Sequence, residues 1–145
     1  MATITRFEEL EIWQLARELA NEIFQTYINS EEFSKDYKLK DQINGSSGSV
    51  MDNIADSRRP KPMASDEGFE RSGRNEFINF LSYSKGSVGE VKSQLYRALD
   101  RKYISQEQFD RLYKKAEDIG KKTGAFMSYL NSSSNKGSKF KDRKI

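Results

Sequence analysis

At 145 residues, with 35% hydrophobic and 32% charged side chains, the chain has the length of one domain and can bury roughly 68–70% of the surface its unfolded form exposes. It has no cysteine and no histidine, which removes a disulfide framework, a thiolate metal site and the usual parts of a serine, cysteine or histidine nucleophilic centre; zinc would have only carboxylates to hold it. Its 25 basic and 22 acidic residues give a formal charge of +3 and a pI near 9.0, a mild basic bias that in a helical protein is commonly a solvated face.

Acidic side chains stand in Met1 to Leu10 where a signal peptide needs an apolar run, and no stretch approaches the roughly 20 apolar residues of a membrane span. The expectation is a cytoplasmic protein that does not enter a membrane.

Phe7, Leu10, Trp13, Ala16, Leu19 or Ala20, Ile23 and Tyr27 recur at steps of three and four, with Glu8, Glu9, Glu11, Arg17, Glu18 and Glu22 between them. This is one apolar stripe and one wet face, and it predicts a first helix over about 5–28. Asn29, Ser30 and Glu31 break the pattern. A second helix is predicted over about 35–57, marked by Leu39, Ile43, Val50 and Ile54. Its middle, Asn44-Gly45-Ser46-Ser47-Gly48-Ser49, has the composition of a loop, since glycine costs about 1 kcal/mol in a helix and serine prefers caps. Ile43, Val50 and Ile54 nevertheless keep a heptad-compatible register across it, which favours an unbroken helix whose small residues admit a neighbouring backbone.

Pro60 and Pro62, interleaved with Arg58, Arg59 and Lys61, predict an exposed basic loop over 57–66. The third helix, about 73–101 with Ser72 as its cap, has the clearest pattern: Phe77, Leu81, Ser84, Val88, Val91, Leu95 and Ala98 alternate steps of four and three, a seven-residue repeat with one polar seam position. Ser105 and Gln108 fit a capping box, and Ile104 and Phe109 a hydrophobic staple, at the start of a fourth helix over about 106–131. Residues 132–145 are rich in serine and lysine and are expected to be a disordered basic tail. The fold class is therefore all-α, an antiparallel up-down four-helix bundle occupying residues 1–131.

Several short motifs resemble those of a bacterial family, the S23-like four-helix bundle proteins encoded in intervening sequences of large-subunit ribosomal RNA genes, to which the accessory variability proteins of diversity-generating retroelements are similar. They are Phe7-x-x-Leu10-x-x-Trp13-x-x-Ala16; Leu39-x-x-Gln42-Ile43; Ser49-Val50-x-x-Asn53-Ile54-Ala55; Glu76-Phe77-x-x-Phe80-Leu81; and Gly86-Ser87 with Glu90. The resemblance covers residues 7 to about 130. It implies that the Gly/Ser stretch is helical, that the chain forms a homo-oligomer, a homopentamer in this family, and that nucleic acid, RNA or DNA, and a nucleic-acid enzyme such as a reverse transcriptase are its partners. One departure stands out: relatives run from Asn-Ile-Ala directly into a Glu-Gly-Phe-Glu-Arg-like stretch, whereas here the Pro- and Arg-bearing segment separates Asn53-Ile54-Ala55 from Glu67-Gly68-Phe69-Glu70-Arg71.

Gln42, Asn53, Ser87 and Glu90 lie on or beside apolar seams. They suit either a ligand pocket or, the plainer reading, a structural polar network that fixes helix register. A dinuclear metal bundle would need Glu-x-x-His pairs, so no metal, cofactor or catalytic residue is assigned. Candidate nucleic-acid contacts are Arg58, Arg59, Lys61, Arg71 and Arg74 around the second loop, with Lys136, Lys139, Lys141, Arg143 and Lys144 in the tail and Lys114, Lys115, Lys121 and Lys122 on one face of the fourth helix. The competing explanation for the last four is pairing with Glu117 and Asp118 within the helix. Trp13 is expected in the core or an interface rather than against a base. The predicted function is non-catalytic binding of nucleic acid without sequence readout; the alternative is a protein-interaction scaffold.

Overall fold

The computed structural model describes residues 6–58 and 66–139, with the helical backbone alone at 66–72 and 133–139. A 3-10 turn at Phe7–Glu9 is followed by five α-helices: α1 (Glu11–Ile28), α2 (Glu31–Lys35), α3 (Tyr37–Ser57), α4 (Asp66–Asp100) and α5 (Gln106–Lys139). There is no strand among the described residues.

The first predicted helix is interrupted at Leu10, which is extended at φ −78° and ψ 127°. The interruption lets the Phe7 ring meet Trp13 edge-on at 5.1 Å, while the Glu8 carbonyl accepts from Gln14 Nε2 at 2.9 Å. The second predicted helix is preceded by a separate short one, because Ser30 caps α2 by accepting from the Phe33 amide and Asp36 caps α3 by accepting from the Leu39 amide. From there α3 runs unbroken through Gly45 to Ser49. The third predicted helix begins earlier, at Asp66, so Ser72 lies inside it and is not its cap. The fourth does not stop near Asn131 but continues to Lys139, so 132–139 is helical where a disordered tail was expected: no proline follows Leu130 to break the backbone.

The four long helices pack as a ring in which α1 and α4 each touch both α3 and α5. Cross-contacts fix the directions. Ser46 reaches Gln94, Ser49 reaches Ser87 and Ser84 reaches Val50, so α3 and α4 are antiparallel. Tyr96 meets Phe109 while Phe77 meets Phe126, so α4 and α5 are antiparallel too. Ion pairs from Glu22 to Lys115 and from Glu11 to Lys122 give α1 and α5 the same relation. The core is the seam of every helix: Ile12, Ala16, Leu19 and Ile23 of α1; Leu39, Ile43, Val50 and Ile54 of α3; Leu81, Val88, Val91 and Leu95 of α4; Leu112, Ala116 and Ile119 of α5.

At one end Asp36 ties the helices together. It accepts from the Arg101 guanidinium and the Tyr103 hydroxyl, both at 2.8 Å, and Tyr103 stacks on Phe33. Lys102, at φ 63°, makes the turn that brings Tyr103 back to this corner. At the other end the helices are unequal. With 35 and 34 residues against 18 and 21, α4 and α5 run on past the start of α1 and the end of α3 as a paired extension.

Candidate nucleic-acid interface

The structure separates the sequence-predicted basic residues into groups with different surroundings. Arg59 and Lys61 lie outside the described residues. Arg58 closes α3 and places its guanidinium over the Phe77 ring at 5.1 Å. Arg71 and Arg74 belong to the extended start of α4.

The four lysines of α5 do not form one face. Successive residues of a helix diverge by about 100°, so Lys115 and Lys122 turn toward α1 and Lys114 and Lys121 turn away from it. Lys115 contacts Glu22 at 3.0 Å and Glu18 at 3.7 Å, and Lys122 contacts Glu11 at 3.6 Å. Arg111 joins the same row through Glu22 at 2.9 Å. The acidic face of α1 thus neutralises three cations of α5. Lys114 pairs within its own helix with Asp118 at 3.7 Å. Of the four, Lys121 alone has no carboxylate oxygen within 4 Å among the described residues, and it is exposed.

Lys121 faces a feature that spacing within α5 did not reveal. A shallow groove of about 290 Å³ runs between α4 and α5, lined by Lys85, Val88, Gly89, Lys92, Glu117, Gly120 and Lys121. Its floor is close-packed: a Cβ at Gly120 would lie 3.4 Å from Val88, and one at Gly124 would lie 3.2 Å from the Lys85 stem. Lys92 lies over the Tyr113 ring at 4.9 Å. Neither Lys85 nor Lys92 has a carboxylate partner among the described residues, so Glu117 is the groove's one lining acid. At its end stand three rings, Phe109 and Tyr113 stacked at 5.2 Å with Tyr96 tilted against Phe109 at 4.9 Å. Tyr96 is 50% exposed. The neighbouring Tyr113 hydroxyl, then burial and the charge of Glu117, push the Tyr96 phenol above its ordinary pKa, so it remains a neutral ring.

Lys85, Lys92 and Tyr96 were missed in the sequence because each is unremarkable alone. The signal was present in their spacing. Arg74, Lys85, Lys92 and Tyr96 fall within an arc of about 40° on a helix of 3.6 residues per turn, and Arg74 and Lys92 are about 27 Å apart along it.

The polar candidates divide as well. Asn53 donates to the Ser49 carbonyl and hydroxyl, both at 2.9 Å, and the Ser87 hydroxyl donates to Ser49 Oγ at 3.0 Å. Asn53 and Ser87 therefore share a chain of hydrogen bonds between α3 and α4, alongside Ser46 with Gln94 and Ser84 with the Val50 carbonyl. Gln42 is exposed and accepts from Arg97 at the edge of that interface. Glu90 is exposed and outside the network; it lies two residues after Val88 and one before Val91, rotations of about 200° and 100° that carry it off the seam. No group of three or more acidic residues suited to a metal ion occurs among the described residues, and no described helix is long and apolar enough to cross a membrane.

Residues 8–125 match a protein family described as 23S rRNA-intervening sequence protein. Among solved structures, the chain is similar to a protein of unknown function from the S23 ribosomal protein family of Bacteroides thetaiotaomicron, with 21% identity and a TM-score of 0.67 over 80% of this chain and 97% of that one. At that identity the likeness speaks for the fold. Comparison with curated proteins gives no match.

Proposed function

The chain belongs to the 23S rRNA-intervening sequence protein family, and from that premise we propose that it is a non-catalytic, self-associating helical bundle of the cytoplasm that binds RNA or DNA through a basic surface. The observation that carries the reading is the contrast between two faces. Where α1 meets α5, Arg111, Lys115 and Lys122 are matched by Glu11, Glu18 and Glu22. Where α4 meets α5, Lys85, Lys92 and Lys121 share a groove with one carboxylate. Unmatched cations attract a polyanion and release its counterions, which gives affinity without sequence readout.

Self-association is supported by the outer side of α1, where Trp13, Ala20, Phe24 and Ile28 align along the helix and Phe24 and Ile28 are 43% and 46% exposed. Five subunits is the number the family resemblance implies, and repetition of the basic groove around a ring would add avidity. The same stripe would equally receive a protein partner, such as a nucleic-acid enzyme.

Fluorescence anisotropy with mixed-sequence oligonucleotides at about 50 mM salt, alongside solution mass, tests both parts. Binding that weakens as salt rises, on a species heavier than one chain, is expected. Undetectable binding would refute the nucleic-acid reading; a monomer at micromolar concentration would refute the assembly. A partner retained after nuclease treatment would favour the scaffold reading instead.

A further inference from the structure

Resting on the nucleic-acid reading above, we propose that the groove between α4 and α5 is a track for single-stranded nucleic acid, in which Arg74, Lys85, Lys92 and Lys121 meet phosphates spaced along one strand and Tyr96 stacks a base.

The argument begins with the shape of the charge. On α4 the cations form a straight row, with Lys85 and Lys92 two turns apart, about 10 Å, and Arg74 continuing the line to about 27 Å. The facing stripe of α5 is Tyr113, Glu117, Gly120, Gly124, Ser128 and Asn131, edged by Lys121. Contacts of Tyr96 with Tyr113 and of Lys85 with Gly124 hold the two stripes in one antiparallel register. Small and uncharged residues therefore lie along the row of cations, and the only acid lining its middle is Glu117.

A straight row selects against a duplex. One turn of B-form DNA occupies about 34 Å, so a duplex strand winds away from a line of about 27 Å well before its end. Nor can the pair of helices enter the major groove, since each is about 10–12 Å across and the groove is about 12 Å wide. A single strand has neither constraint and can lay its backbone along the row. Its bases are then free to stack, and the track ends in a half-exposed ring: Tyr96 is held by Phe109 and Tyr113 yet 50% exposed. Cations along a backbone beside an aromatic platform are the two elements of sequence-tolerant single-strand binding. Lys92 serves both, since its ammonium lies over the Tyr113 ring beside the platform.

The test uses the full chain with labelled oligouridylate and a duplex of the same length. Four phosphate contacts on a single strand predict a slope of about −3 for log affinity against log salt. The double variant Lys85→Ala/Lys92→Ala should bring it to about −1.4, while Lys115→Ala leaves it unchanged. Tyr96→Ala should weaken oligouridylate roughly five- to hundred-fold without altering duplex binding, and Tyr96→Phe should restore it. Circular dichroism and solution mass of each variant show that the fold and assembly persist. Equal affinity for duplex and single strand, a Tyr96→Ala effect of the same size on both, or a salt slope unmoved by the double variant would overturn the track while leaving nucleic-acid binding intact. Failure of the unaltered chain to bind any oligonucleotide would instead overturn the reading on which it rests.

Discussion

Replacing Gly45 and Gly48 by alanine should stabilise the isolated bundle. Both lie well inside α3, and a Cβ built at either would have no atom within 4 Å. Nothing within the chain's own fold requires their smallness; the close approach of α3 to α4 is made by Ser46, Ser49 and Ser87 instead. Each glycine then carries the usual helix-interior cost of about 0.8–1.0 kcal/mol relative to alanine, and the pair should contribute about 1.6–2.0 kcal/mol. For 145 residues an unfolding entropy of about 2.1 cal/mol/K per residue amounts to about 0.3 kcal/mol/K, so the melting temperature should rise by about 5–7 °C. Differential scanning calorimetry at low protein concentration measures this directly. A fall in melting temperature there would refute the reasoning. A rise accompanied by loss of assembly would show that the two glycines serve a neighbouring copy and not the subunit.

Ser105→Ala should cost about 0.5–2 kcal/mol in urea denaturation, because Ser105 Oγ accepts from the Gln108 amide at 3.1 Å while Gln108 Oε1 accepts from the Ser105 amide at 2.8 Å. The Asp36 carboxyl is held below its ordinary range, first by the Leu39 amide and then by the Tyr103 hydroxyl and Arg101. A depressed folded-state pKa adds stability that is complete above the unfolded value of about 3.9 and disappears as pH falls through the folded one. Asp36→Asn should therefore lower stability at neutral pH and flatten its decline between about pH 5 and pH 3, read as melting temperature against pH. Glu22→Gln should change stability by less than about 1 kcal/mol, an effect that vanishes at high salt, since its partners Arg111 and Lys115 are partly solvated; urea titrations at low and high ionic strength compare the two.

The third helix was the most legible element because its seam is nearly pure: Leu81, Ser84, Val88, Val91, Leu95 and Ala98 are all buried, and a period of seven admits no strand. The Gly/Ser stretch was harder. Local composition argued for a loop, and the register of Ile43 with Val50 and Ile54, all fully buried, outweighed it. Ser30 and Asp36 are followed three residues on by the apolar Phe33 and Leu39 and make no capping box, so α2 and the break at Asp36 had no such signal. The end of α5 was placed too early because apolar periodicity stops where the partner helices stop, and a two-helix extension has less to bury. The basic site suffered from reading neighbours in sequence as neighbours in space. Lys114-Lys115 and Lys121-Lys122 look like one patch in the chain, yet α1 claims one member of each pair. Spacing within α4 puts Lys85 and Lys92 in one row, but they line a groove only because α5 lies beside them.

The unequal lengths of α4 and α5 against α1 and α3 uncouple two properties of the molecule. The core is complete where the shorter helices end, near Ser57 and Glu11, whereas the line of cations continues onto the extension through Arg74. A heptad added to both long helices beyond Phe77 and Phe126 would lengthen the charged line by about 10 Å and leave every buried contact in place. A single added residue in α4 would swing everything before it by about 100° and break the line at once. Descendants of this sequence are thus free to vary that reach in steps of seven, with folding and footprint answering to separate stretches of the same two helices.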